Sequence, residues 1–310
     1  MKAYQVLIFC STIIFALKRL LSGSAVSNIK PTSTVYDIRP RIVVICSGLP
    51  RSLRWTLNSL EMHINSPLRQ YFRVDVSVHS YVHTENYSNI RSREFNIKLD
   101  NDEWKALRPT FVELENVATV KLQQEELLHK LTTFGDAWKD RFRSLSNYLL
   151  ALHSLERATS LVLASKREYD GALILRPDLY YLDPIDGTLL LNIVKQRKLR
   201  AIVTVPCWQS WSGVNDRFMY GDFEYITTIG QRIHAIAQYC SKQQTALQGE
   251  QFLKWFLETG VHDSQFKKSN RNLSVICTNQ RAIRIRANGA TKLETFAPDF
   301  NISGFTPNAP

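Results

Sequence analysis

The chain has 310 residues, enough for one large domain or two small ones with a sizeable core. Its 44% apolar and 22% charged residues are ordinary globular values, which exclude a disordered, collagen-like or coiled-coil chain. The net charge is +11, and the part beyond residue 40 still carries +7, a field suited to an anionic ligand, nucleic acid or a membrane surface.

Residues 3–17 are uncharged, with Lys2 before them and Lys18 and Arg19 after. At ~1.5 Å per residue they cover about 22 Å, short of a ~30 Å hydrocarbon core. Leu20, Leu21 and a snorkelling basic pair bring the segment to spanning length. Residues 1–21 therefore read as a signal anchor or a signal peptide, with Gly23-Ser24-Ala25 as a small-residue cleavage site. An ordinary buried helix is the alternative. Residues 22–40 are rich in Ser, Pro and Thr and read as a short stem, and 41–310 form the body.

Arg41–Cys46 is a continuous β-branched run, the pattern of a strand covered on both faces. Ser47-Gly48-Leu49-Pro50 breaks it, and Leu53, Leu57, Leu60 and Ile64 then recur at helical spacing. Phe72–His79 alternates as a second strand. Residues 83–115 are polar and predict loops with a short helix; Val117–Leu122 predicts a third strand. Arg143 to about Ser165 is a long amphipathic helix. Gly171–Leu175 and Ala201–Val205 are short apolar strands, with a further short one at Phe218–Gly221. Helices are expected from about Phe223 to Cys240 and from Glu250 to Glu258, and a late strand pair over Val275–Ile285. The alternation predicts an α/β fold with a mainly parallel, Rossmann-like mixed sheet flanked by helices.

Cys46, Cys207, Cys240 and Cys277 show no CxxC or Cys/His spacing, so a zinc site is not expected. Buried free thiols are the favoured reading, with one or two disulfides as the alternative in an oxidising compartment. The seven histidines are scattered without metal spacing. Sequons at Asn86, Asn272 and Asn301 permit a lumenal location without establishing it.

Ligands of open parallel sheets bind beyond the carboxyl ends of the strands. The first such end is Cys46–Arg51, where Ser47, Gly48, the following helix N-terminus and Arg51 could hold a phosphate. It lacks both the dinucleotide and the Walker glycine patterns, and for this segment alone a plain strand–helix turn with a surface arginine is the favoured reading. The second is Arg176-Pro177-Asp178. A strand-end carboxylate could hold Mg²⁺ or Mn²⁺ against a diphosphate, with Asp183 and Asp186 nearby in sequence; the plainer reading is that Arg176 and Asp178 pair with each other. The third is Gly213–Gly221, where Asn215 and Asp216 could bond sugar hydroxyls beside Trp208 and Trp211. Glu250 opens a helix and could be a general base, or merely an acid favoured by the helix dipole. No aromatic RNA-binding motif accompanies the basic clusters, so nucleic acid is not an expected partner.

In order and spacing, these pieces resemble the GT-A-type glycosyltransferases over about residues 41–290. The points of likeness are Ile42–Arg51, Asp75-Val-Ser-Val-His79, Tyr169–Tyr180 with its Arg176-Pro-Asp178, Asn215-Asp216-Arg217-Phe218, Gly249-Glu250 and Arg284-Ile-Arg286-Ala-Asn-Gly289. The resemblance implies transfer of a sugar from a nucleotide-diphosphate sugar to a glycan, protein or lipid. It also implies a Golgi-type membrane setting with a lumenal body. Asp178 matches the last aspartate of the family's DxD motif, and Arg176 stands where its first aspartate would be. Asp178 is thereby the expected ligand of Mn²⁺ or Mg²⁺, although Arg176 could itself neutralise the diphosphate. Asp216 and Glu250 become the candidates for acceptor contact or general base. Two other readings stand beside this one: an inactive GT-A-like module that binds a glycan or partner, and another phosphate-binding α/β enzyme that uses the first turn.

Overall fold

β1 (Arg41–Ser47) shows why its sequence is apolar throughout. Val43 and Ile45 enter one core with Leu145, Leu149 and Leu152; Ile42, Val44 and Cys46 enter another with Leu53, Leu60 and Leu68. Successive side chains of a strand point to opposite faces, so one strand feeds both cores. The structure, a computed structural model, describes residues 37–259, 271–292 and 294–299. The apolar segment at 3–21, nearly all of the 22–40 stem and the sequon at Asn301 lie outside the described residues.

The helical spacing after β1 becomes α1 (Leu53–Leu60), a wider π turn over Glu61–Asn65, and α2 (Ser66–Tyr71). Pro67 has no N–H to offer the preceding turn, and the His63 carbonyl accepts from the Ile185 N–H at 2.8 Å instead. β2 (Arg73–Val82) lies parallel beside β1. The polar stretch after it is more ordered than its composition suggests. It holds a hairpin of β3 (Tyr87–Asn89) and β4 (Glu94–Ile97), then strand β5 (Phe111–Asn116) parallel to β2. The third strand expected at Val117–Leu122 is instead α3 (Val117–Gln123), because the Asn116 side chain accepts from the Ala118 and Thr119 N–H groups and starts a helix there.

Then come α4 (Glu125–Thr132) and α5 (Arg143–Ala164), which packs on β1, β2 and β5. β6 (Gly171–Leu175), β7 (Leu179–Tyr181), α6 (Gly187–Gln196), β8 (Ala201–Pro206) and β9 (Met219–Asp222) follow. The helix expected from Phe223 to Cys240 is broken into α7 (Phe223–Gly230) and α8 (Ile236–Gln243) by a 3₁₀ turn at Arg232–Ala235. α9 is Gly249–Glu258. The late strands β10 (Leu273–Thr278) and β11 (Ala282–Ile285) both form but do not pair with each other. β10 lies parallel to β8, whereas β11 joins β7 and β12 (Thr291–Lys292) in a small antiparallel sheet.

The main sheet has the order β10-β8-β9-β6-β1-β2-β5, with β9 antiparallel to both of its neighbours and the other pairings parallel. This is the mixed, mainly parallel sheet that the alternation predicted. The chain runs outward from β1 through β2 to β5, then returns to β6 on the other side of β1. That reversal puts the carboxyl ends of β1 and β6 side by side, with Cys46 opposite Leu175. It is the switch point at which open α/β sheets bind ligands. Beyond β8, Cys207 bonds Cys277 of the neighbouring β10, while Cys46 and Cys240 remain buried thiols. The cysteines thus divide between the two readings.

Candidate functional site

The turn after β1 is Gly48, at φ +99°, a backbone only glycine adopts readily. Its N–H donates to Ser154 Oγ at 2.7 Å. The first turn of α1 is also committed internally. Leu53 N–H donates to Pro50 O, Arg54 N–H to a Glu103 carboxylate oxygen at 2.6 Å, and Trp55 N–H to Ser52 O. The expected phosphate cradle of Gly48 and free helix N–H groups is therefore not formed. Ser47 ends β1 half-buried at the switch point. Arg51 is not a surface arginine. It donates to Tyr87 Oη, stands 3.5 Å from a Glu94 oxygen and reaches within 3.8 Å of Asp178.

Asp178 lies in the turn between β6 and β7 and is 4% exposed. Both its oxygens accept from Arg176, Oδ1 from Nε at 2.9 Å and Oδ2 from Nη2 at 2.8 Å. Burial would raise its pKa, but Arg176, then Arg284 and Arg51, hold it far below the usual carboxylate range. This is the pairing the sequence offered as the plainer reading. Both oxygens are thus engaged by a guanidinium, and the nearest charges, Arg176, Arg284 and Arg51, are cations, whereas Mg²⁺ and Mn²⁺ are held by carboxylates. The residues at Asp178 do not fit the divalent ion expected there. Asp183 and Asp186 are also engaged elsewhere: Asp183 forms a two-pronged pair with Arg281, and Asp186 caps α6 through the Leu189 N–H.

The small sheet supplies what the sequence did not single out. β11 pairs with β7 at Arg284 and Leu179, and the Ile285 N–H donates to Asp178 O. Arg284 thereby faces Arg176, Asp178 and Arg217. Burial, then Arg176, depresses its pKa to about 9, still cationic at neutral pH. Arg286 stands 4.0 Å from the buried Glu94 carboxylate. Arg217, 3% exposed, lies over the Trp208 ring and pairs with Glu294 at 3.3 Å. Among the described residues, Arg51 Nε, Arg217 Nε and Nη1, and Arg284 Nε are buried without a hydrogen-bond acceptor. A guanidinium in this state favours an added anion.

Asp216 and Glu250 meet across a loop–helix contact. The Val214 N–H donates to Glu250 O at 2.9 Å, and a Cβ on Gly213 would lie 2.1 Å from that same carbonyl, so only glycine fits there. Burial, followed by the Asp216 charge, raises Glu250 to about 7; Arg217 and Arg284 act in the opposite sense. Gln248 Nε2 donates to Glu250 Oε2 at 2.6 Å. Asp216 also acts on Arg176, which links this pair to the arginines.

Asn215 is not available to a sugar, because its amide donates to Trp208 O and its oxygen accepts the Arg217 N–H. Trp208 is fully buried with its indole N–H on Gln280 O, whereas Trp211 is exposed in a loop where Gln209, Trp211 and Ser212 all have positive φ.

The structure thus gathers Arg51, Arg176, Asp178, Asp216 and Glu250 at one end of the sheet. Sequence reasoning missed Glu94, Tyr87, Arg217, Arg284 and Arg286 as site residues. The Arg284-x-Arg286 spacing carried a signal, since residues two apart on a strand share a face; Glu94 carried none. It also set the histidines aside, yet His79, Glu115 and His153 place one donor atom each within 4.8 Å of one another, a donor set compatible with a divalent ion.

No protein-family description matches this chain, and no curated protein does. Among solved structures, the apo form of mouse xyloside xylosyltransferase 1 is similar to it at 13% identity and a TM-score of 0.35. The match covers 72% of this chain and 83% of that one. At that TM-score the likeness carries no argument about activity.

Proposed function

We propose that the protein transfers a sugar from a nucleotide-diphosphate sugar to an acceptor hydroxyl. The observation that carries this reading is Glu250. It is a carboxylate raised to about 7 beside Asp216, within reach of the charges of Arg217 and Arg284, which carry unfilled donors. A base with a pKa near the working pH balances availability against proton-accepting strength. In a direct displacement, the acceptor oxygen bonds to the sugar's anomeric carbon as its proton passes to Glu250. The bond from that carbon to the diphosphate breaks, and the leaving diphosphate carries the electron pair. Arg176, Arg284 and Arg51 stabilise that charge in place of a metal. Asp178 fixes the first of these in a two-pronged pair and so positions it.

The compartment belongs to the same proposal: a lumenal body, anchored through residues 3–21, in the secretory pathway. It is supported by the buried Cys207–Cys277 bond and by Asn86 and Asn272, both exposed. Among the described residues no helix is long and apolar enough to cross a membrane, and the 3–21 segment lies outside them.

The test is a thermal-shift screen of UDP-, GDP- and CMP-sugars with and without Mn²⁺, followed by a transfer assay with the donor that binds. A ligand bound to the native state must raise Tm. The expected result is a shift with one nucleotide class that persists in chelator. A shift that requires Mn²⁺ would refute the arginine-based account. Donor binding with no transfer would favour the module that binds without turnover, and the Arg176–Asp178 pairing gives that second reading its support.

A further inference from the structure

A second cluster sits at the same end of the sheet, under α5. β2 and β5 pair so that His79 and Glu115 lie two positions apart in register, and α5 brings His153 over them. His79 Nε2 is 2.8 Å from Glu115 Oε2, and His153 Nε2 is 2.7 Å from that same oxygen. His79 is fully buried, while Glu115 and His153 are half-buried and reach solvent. The three residues come from three separate elements, and all of them converge on one point.

The outer contacts complete the picture. His79 Nδ1 is 2.9 Å from Ser154 Oγ, which also takes the Gly48 N–H at 2.7 Å and lies 3.2 Å from His79 O. A serine that accepts the Gly48 N–H and donates to the His79 carbonyl can accept a second proton from Nδ1. In that tautomer Nε2 of His79 presents its lone pair toward the Glu115 carboxylate, and a cation between the two atoms satisfies both. Metal-ligating histidines are usually held in this way, with the remote ring nitrogen bonded to a fixed acceptor.

We infer that His79 Nε2, a Glu115 oxygen and His153 Nε2 form a binding site for a borderline transition ion of the Zn²⁺ type, with solvent in the fourth position. Two imidazoles and one carboxylate suit Zn²⁺ and exclude Mg²⁺ and Ca²⁺ as preferred ions. Donors 2.0–2.1 Å from a tetrahedral ion stand about 3.3 Å apart. The two half-exposed side chains therefore need to withdraw from each other by only a fraction of an ångström. The ion would tie β2, β5 and α5 together and, through Ser154, brace the Gly48 turn. This inference does not depend on the transferase reading.

The experiment uses the full-length chain, purified in mild detergent and stripped with chelator. Zn²⁺ is titrated against a competing chromophoric chelator, and Co²⁺ is added separately to read its visible d–d absorption. The expected result is one Zn²⁺ per chain, a rise in Tm, and Co²⁺ bands of a four-coordinate site displaced by Zn²⁺. His153→Ala and Glu115→Gln, both at half-exposed positions, should each weaken Zn²⁺ by more than about 100-fold, beyond the 10–100-fold typical of losing an outer contact. Their far-UV circular dichroism should be unchanged. No Zn²⁺ bound by the wild type, or equal binding in wild type and both variants, would overturn the site. Neither result would bear on nucleotide-sugar binding, which the donor screen reads separately.

Discussion

Glu250→Gln should make the protein more stable and less active, and the gain should depend on pH. The Glu250 carboxyl is pushed from an ordinary 4.5 up to about 7 in the folded chain, chiefly through burial and then through Asp216. Folding therefore opposes ionisation of this group. Between about pH 4.5 and 7 the folded state holds a proton that the unfolded state has lost, so stability falls as pH rises through that window. Below 4.5 both states are protonated and the cost vanishes; above about 7 it is complete. At 1.36 kcal/mol per unit the full cost is at most about 3 kcal/mol, most of it between pH 5 and 8. Glutamine is nearly isosteric and its carbonyl can keep the Gln248 hydrogen bond, so the substitution removes the charge and little else. The assay is urea unfolding of both proteins at pH 5, 6, 7 and 8. The difference in unfolding free energy should grow with pH in favour of the variant, and turnover by the variant should be lost while donor binding remains. A difference that is flat across the range would refute the buried, charge-opposed carboxylate, and with it the base assigned to the reaction.

Other outcomes follow from the same contacts. Asp178→Ala strips the shared partner from Arg176 and Arg51 inside the protein, so it should cost about 3–5 kcal/mol in urea unfolding, the range for breaking a buried ion pair; a loss below 1 kcal/mol would mean that the pair is solvated. Arg284→Met should weaken nucleotide-sugar binding by about 10–100-fold, the value of one to two charge-assisted hydrogen bonds, while leaving stability equal or higher. Calorimetric titration reads the first effect and thermal melting the second, and unchanged affinity would remove Arg284 from the diphosphate site. Reduction of Cys207–Cys277, which are 70 residues apart, should lower stability by about 4 kcal/mol on the chain-entropy account, checked by urea unfolding with and without reductant.

The parts of this fold legible in the sequence are those where one physical signal dominates. β1, β6 and β8 are apolar on both faces because all three are covered by helices or loops on both sides of the sheet. Strand-end residues of β1 and β6 were accordingly found, and the topology then places them side by side. The hairpin at Tyr87–Ile97 was hidden because its burial is by charge and not by apolar surface: Glu94 is inside on account of Arg51 and Arg286. β5 was hidden by its alternating glutamates at the sheet edge, and Asn116 moved the boundary by capping α3. The Arg176–Asp178 pairing was one of two stated options, and only the burial of Asp178 decides between them. His79, Glu115 and His153 have no readable spacing, since they are neighbours through sheet register and a crossing helix and not through the chain.

Arg176 and Asp178 handle charge differently from a carboxylate-held metal ion. A divalent ion concentrates two charges at one point and must be held by carboxylates, whose own charge offsets it. Here the carboxylate is spent on holding an arginine, and the positive charge is spread over Arg176, Arg284, Arg51 and Arg217. Crowding is the cost of this arrangement. Burial first, and then the charge of Arg176, depress the pKa of Arg284, and the buried guanidinium nitrogens have no acceptor. Such a site gains most when an anion with several oxygens enters, because each oxygen fills a donor and relieves a repulsion together. A nucleoside diphosphate does this better than a monophosphate. Added salt should weaken that discrimination chiefly through the half-exposed Arg176, and little through the buried Arg217 and the desolvated Arg284.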